Sequence, residues 1–149
     1  MWSPQSVGLI EKIESVQRRF TKRFPCCRYM MYNDRLVKHN IDSLELRRLR
    51  LDLIYVYKIM FGLVAADMSH YFSLQSTNNY NLTRRGNSYK LSVNYCRISV
   101  RKNFFCARII KVWNSLPPSV VNYHLEIRQQ YQPAYIYNVL NNFIVLLRI

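Results

Sequence analysis

The sequence predicts a mainly α fold, a small helical domain with a short antiparallel strand pair before the last core helix. Three observations predict it. Apolar residues recur every three to four positions in three stretches, near residues 9–24, 46–60 and 105–116. "SYKLSV" and "YCRISV", which lie close together, alternate well enough to propose two short strands. Between helices and strands, residues 74–82 turn to Ser, Thr, Asn and Gln, too polar to hold a packed element. At 149 residues the chain suits one domain with a modest core.

Residues 6–24 read as an amphipathic helix with Leu9, Ile13, Val16, Phe20 and Phe24 as its apolar stripe, ended by Pro25. Arg18, Arg19, Lys22 and Arg23 crowd its C-terminal end. The helix dipole favours cations there, but four in six residues also suit a phosphate-facing role. "YNDRLVKHN" suits a helix of two turns. Asp42 and Glu45 have the form of a capping pair that opens a long helix to Phe61. Leu46, Leu49, Leu53, Tyr57 and Met60 form its stripe, and Gly62 is its stop. Arg47, Arg48 and Arg50 lie on its other side, as a solvated face or a nucleic-acid contact.

Arg84-Arg85-Gly86-Asn87 is a turn signal ahead of the two strands. On a helical wheel, residues 101–116 place Phe105, Ile109, Val112, Trp113 and Leu116 in one arc, with Ile110 at its edge. Arg101, Arg108 and Lys111 fall opposite, with Phe104 among them. A ring so placed either packs on a neighbouring element, the commoner outcome, or offers a plate for a base. Trp113 reads as a core anchor whose indole N–H needs an acceptor, and Pro117-Pro118 forces the chain out of helix.

Charge points to partners. The chain holds 22 Lys and Arg against 8 Asp and Glu, a net of +14. Through Phe61 there are 12 basic and 6 acidic residues, and beyond it 10 and 2, so the excess is not confined to one tail. Such a surface repels itself unless a polyanion shares it, which makes RNA or DNA the leading partner and an anionic membrane the second. Between Arg84 and Lys111 lie eight cations, no acid and four rings (Tyr89, Tyr95, Phe104, Phe105), the combination that neutralises phosphates and receives unstacked bases.

Catalytic signatures are missing from the sequence. The acids, Glu11, Glu14, Asp34, Asp42, Glu45, Asp52, Asp67 and Glu126, include no adjacent pair for a two-metal centre. His39, His70 and His124 are scattered, there is no Gly-x-Ser-x-Gly elbow, and three glycines leave no phosphate-cradling loop. Only the fold could bring a histidine to a remote cysteine. Cys26, Cys27, Cys96 and Cys106 lack zinc spacing. The expectation is therefore no enzyme, no cofactor, no metal and no small-molecule substrate. With no secretory leader apparent, the thiols are expected to be free in a reducing compartment, cytoplasm or nucleus. The tail "AYIYNVLNNFIVLLRI" is apolar but short and interrupted by Asn138, Asn141 and Asn142, a poor membrane span.

Five ordered motifs add a resemblance: "WSP" at 2–4, "IESVQRRFTKRFP" at 13–25, "SLELRRLRLDLIYVYKIMFGLV" at 43–64, "TRRGNSYKL" at 83–91 and "VRKNFFCARIIKVWNSLPPSVV" at 100–121. Together they resemble the C-terminal region of reverse transcriptases of jockey-type non-LTR retrotransposons, over most of residues 2–122. The resemblance implies a segment downstream of fingers, palm and thumb, which helps hold template RNA or target DNA or braces the thumb. The Tyr-x-Asp-Asp metal-binding motif of the family lies upstream of such a segment and is absent from this sequence. The chain starts at the family's Trp-Ser-Pro, as a truncated copy would, and after Asn122 it departs from the family's Phe-Lys-containing terminal helix, so the resemblance implies a helical domain over residues 1–122 and a divergent, poorly ordered tail over residues 123–149.

The candidate nucleic-acid residues are Arg18, Arg19, Lys22, Arg23, Arg47, Arg48, Arg84, Arg85, Lys90, Arg101, Lys102, Phe104, Arg108 and Lys111. Two other readings stand beside it: a helical interaction module whose cations merely solvate it and whose exposed apolar positions meet the polymerase segments of related elements, and a peripheral membrane protein that uses cations and the apolar tail on anionic lipid.

Overall fold

The computed structural model describes residues 3–75 and 89–121. Among them are six α-helices: α1 Val7–Thr21, α2 Tyr32–Lys38, α3 Leu44–Met60, α4 Ser99–Lys102, α5 Phe105–Ser115 and α6 Pro118–Val121. The protein is mainly helical. The chain divides into two compact units, Met1–Leu49 and Arg50–Ile149, with the division inside α3; the sequence suggests one domain to residue 122. The turn at 84–87, most of the polar stretch 74–82 and the tail beyond residue 121 lie outside the described residues.

In the first unit α1 does not bury the apolar stripe that its period marks out. Leu9, Val16 and Phe20 are exposed, and the buried positions are Glu14 and Thr21. Hydrogen bonding accounts for the choice of face. The Glu14 carboxyl group accepts from the Tyr32 hydroxyl and from Leu44 N at 3.1 Å. Gln17 Nε2 donates to Asp42 O at 2.7 Å. Thr21 Oγ1 donates to Gln17 O at 2.9 Å and accepts from Arg35 Nε at 3.3 Å. Glu14, Gln17 and Thr21 follow one another at helical spacing, so one face of α1 is a polar seam.

Arg35, from α2, closes that seam. It is 6 % exposed, donates to Met30 O at 2.5 Å and Arg18 O at 3.4 Å, and lies 5.6 Å from the centre of the Tyr32 ring. A buried guanidinium must find acceptors for its fixed fork of donors, and backbone carbonyls at turns and helix ends supply them. Burial first, and Glu14 second, push the Tyr32 hydroxyl well above the usual tyrosine range.

Helix ends follow local chemistry. At the end of α2, Asn40 takes φ +51°, with Asn40 N bonded to Val37 O at 3.1 Å and Ile41 N to Leu36 O at 2.9 Å. The end of α3 repeats this double closure at Gly62, φ +65°, with Gly62 N on Ile59 O and Leu63 N on Lys58 O. At the start of α3 the side-chain cap is Ser43, whose Oγ accepts from Leu46 N at 3.2 Å, one residue beyond the expected Asp42.

In the second unit α3 buries Asp52, Leu53, Ile54, Val56, Tyr57 and Ile59, more of its circumference than one stripe. Phe72, Leu91, Phe105, Ile109, Ile110, Trp113, Leu116 and Val121 complete this core. Phe72 meets Phe105 edge to face, ring centres 5.9 Å apart, and Phe61 meets Tyr89 at 5.1 Å. Trp113 is fully buried and its indole N–H donates to Tyr89 O at 2.8 Å, the acceptor its burial requires. A buried tryptophan removes about 150–250 Å² from water, on the order of 5 kcal/mol gross.

Two expectations are corrected in this unit. The strand pair does not form: among the described residues there is no strand, only a single antiparallel bridge between Leu74 and Leu91. The backbone of 90–92 is already taken. Gln75 N donates to Lys90 O at 2.9 Å and Ser92 N to Ser73 O at 2.8 Å. From the other side Asn114 clamps Leu91, accepting from its N–H and donating to its carbonyl, both at 2.8 Å. The side-chain amide occupies the place of a third strand, so "YCRISV" is left to other uses.

The second correction is that residues 101–116 are not one helix. α4 ends at Lys102, Phe104 is extended (φ −61°, ψ 149°), and α5 starts afresh at Phe105. Further on, Leu116 takes the extended conformation that a following proline requires (φ −63°, ψ 138°). Pro118 then opens α6, where its missing N–H has no intrahelical partner to lose.

Candidate nucleic-acid interface

The basic end of α1 forms a hollow of about 720 Å³ lined by Arg19, Lys22, Arg23, Phe24, Pro25, Cys26 and Arg28. It is built by the chain turning back after the helix. Cys26 takes φ +61°, and Cys27 N closes on Phe24 O at 3.1 Å. Phe24 props the turn, edge-on to Phe20 with centres 5.1 Å apart and to His39 at 4.8 Å. Four exposed cations face this hollow, and no carboxylate is among its lining residues. Arg18 stands beside them with its guanidinium 5.2 Å from the centre of the Tyr32 ring.

Arg28 escapes sequence reasoning, because it belongs to no run of cations. The usable signal was Pro25: a helix ended there must turn, and a turn returns the next cation to the helix end.

In the second unit a groove of about 740 Å³ runs between residues 70–73, residues 92–98, α4 and the start of α5. Its walls carry exposed rings and aliphatic groups: Tyr71 at 40 %, Tyr95 at 90 %, Phe104 at 63 %, Ile98 at 65 % and Val100 at 67 % exposure. Arg101 is its cation and His70 stands at its mouth. The Asp67 carboxylate lies 3.8 Å from His70 Nδ1 and is held below the usual range by the Ser69 N–H it accepts. Burial pushes the Cys106 thiol, another lining group, upward.

The structure sorts the remaining sequence candidates. Arg101 and Lys102 are exposed on α4, and Lys111 is exposed on α5. Arg47 is exposed and Arg48 half-buried on the first turns of α3, while Lys90 is half-buried with its carbonyl in the bridge. Arg84 and Arg85 lie outside the described residues.

Arg108 is drawn inward. It donates from Nε at 3.1 Å and from Nη2 at 2.5 Å to Asp52 Oδ2, and from Nη1 to Asn103 O at 3.3 Å. Arg108 lies three residues from Phe105 and four from Val112 on α5, at the edge of the apolar arc, close enough to reach the buried carboxylate on α3. Phe104 itself is exposed, where packing was the commoner expectation.

One pairing that only the fold could reveal is present. Cys27 Sγ and His39 Nε2 are 2.9 Å apart and hydrogen-bonded. Cys27 has no exposed surface, so the pair anchors the turn beneath the hollow. All four cysteines are free thiols. Among the described residues no group of three His, Cys, Asp or Glu could hold a metal ion, and no helix is long and apolar enough to cross a membrane.

No protein-family model, no curated protein and no solved structure matches the chain.

Proposed function

We propose that the chain is a non-catalytic, nucleic-acid-binding segment of a retrotransposon-type RNA-directed DNA polymerase, acting on RNA or target DNA in the cytoplasm or nucleus. The observation that carries the reading is the hollow at the end of α1, where Arg19, Lys22, Arg23 and Arg28 face one concavity lined by no acid. Cations gathered in this way are repelled from one another until a polyanion neutralises them, and phosphates spaced along a strand suit a row of such groups. The net charge of +14 and the free thiols support the same reading. The family assignment rests on the five motifs.

Binding of the full chain to a structured RNA, titrated at two salt concentrations, tests it. Affinity should fall steeply with salt, and Arg19→Glu with Arg23→Glu should lower both affinity and the salt slope. Affinity indifferent to salt would remove the reading.

A second reading is favoured by α1. Leu9, Val16 and Phe20 form an exposed apolar stripe on a helix whose inward face, through Glu14, Gln17 and Thr21, is sealed by hydrogen bonds. A module bracing the polymerase thumb would use such a stripe as its contact face. It predicts capture of the polymerase segments by the full chain, lost in Phe20→Ser, with no RNA bound.

A further inference from the structure

We propose that the groove beside α4 is a base-accepting site for single-stranded nucleic acid, with Phe104 and Tyr95 as stacking plates and Arg101 as the phosphate contact. The proposal rests on the nucleic-acid reading above and adds which form of nucleic acid is held, and how.

The argument starts from what these rings do not do. Large aromatics are normally withdrawn into a core, and here Phe105, one residue on, is withdrawn to 8 % exposure while Phe104 stays at 63 %. The break between α4 and α5 is responsible: the extended Phe104 faces the groove while Phe105 packs against Phe72. Tyr95 at 90 % exposure stands on the same groove, on a segment released from strand pairing because 90–92 bond to 73–75 and to Asn114.

Volume and charge choose the occupant. About 740 Å³ falls within the roughly 300–1,000 Å³ of sites that hold small organic groups, enough for a flat base. No carboxylate is among the lining residues, and the Asp67 carboxylate, 3.8 Å from His70 Nδ1, is itself beside a basic ring. Arg101 and its neighbour Lys102 are exposed at the end of α4. An apolar groove that carries exposed rings and an arginine among its lining residues suits a base and its phosphate. In a duplex the faces of the bases are covered by stacking, so only an unpaired strand can use it.

Fluorescence anisotropy with the full chain tests the site, using labelled oligouridylate and an abasic strand of the same length and charge. Oligouridylate should bind the tighter of the two. Phe104→Ala and Tyr95→Ala should each weaken it roughly five- to a hundredfold, while leaving the abasic strand and the salt slope unchanged. Phe104→Trp should retain affinity, which separates a lost plate from a damaged fold, and matching thermal melts check the alanine variants. If both strands bind equally in a salt-dependent way and the alanine variants alter neither, the groove does not take bases and the nucleic-acid reading stands alone. If neither strand binds at any salt concentration, both fall, and a groove that instead takes an apolar peptide or lipid vesicles overturns the proposal.

Discussion

At the scale of single residues, the second unit depends on Asp52, whose carboxylate is deeply buried against Arg108. Oδ2 takes two guanidinium donors, and Oδ1 has no hydrogen-bond partner among the described residues. Removing the cation strands a buried charge, so Arg108→Ala should lower stability by about 3–5 kcal/mol in denaturant titration. Replacing both partners with apolar residues, Asp52→Leu with Arg108→Met, should recover most of that loss, because no charge is then left unpaired. Thiol chemistry separates the cysteines in the same way. Alkylation followed by mass spectrometry should label exposed Cys26 first, with half-buried Cys106 slower because burial pushes its thiol upward. Cys27, fully enclosed, should react only on unfolding; early labelling of Cys27 would contradict its place beneath the turn.

At the scale of elements, α3 shows which local signals the sequence carried. Its stop was legible because only glycine takes φ +65° without penalty, and the structure puts Gly62 there. A β-carbon at that position would meet nothing within 4 Å. Gly62→Ala should therefore cost about 1–2 kcal/mol through the backbone alone, read as a lower melting temperature with an unchanged fold. Tyr57, on the same helix, is pushed up to about 12, by burial first and by Tyr89 second. The fold holds the neutral phenol, so this stabilisation is complete below the ordinary value of 10.0 and is lost as pH rises toward 12. Tyr57→Phe should flatten the fall in stability over that window in denaturant titrations at stepped pH. The elements that misled did so for identifiable reasons. The stripe of α1 was visible by period, but period does not say which face is inward. The inward face was decided by Glu14, Gln17 and Thr21 finding partners on distant segments. The alternation in "YCRISV" was real, yet a strand needs a free neighbour, and Asn114 had displaced it.

At the scale of the whole molecule, composition raises the expectation of a polyanion partner, but does not say which cations would meet one. Fourteen residues were candidates from sequence. Of these the structure pairs Arg108 internally, gathers Arg19, Lys22 and Arg23 with the unforeseen Arg28 about one hollow, and gives Arg101 and Phe104 to a groove. A sequence window counts cations without showing where each one points, and that direction separates a phosphate contact from a buried ion pair. The salt dependence of binding can count the difference. Each phosphate neutralised on a single strand contributes about 0.7 to the slope of log affinity against log salt. If all four cations of the hollow meet phosphates, replacing Arg19, Lys22, Arg23 and Arg28 with alanine should make the slope shallower by about 3. Arg108→Ala, compared at a temperature where the variant is still folded, should leave the slope unchanged, since its charge is spent on Asp52. Leu9→Ser should leave it unchanged too, since it alters the apolar stripe on the same helix at a residue that does not line the hollow. A full slope retained by the four-alanine protein would place the phosphates elsewhere on the molecule and sink the assignment of the hollow, whatever the affinity itself had done.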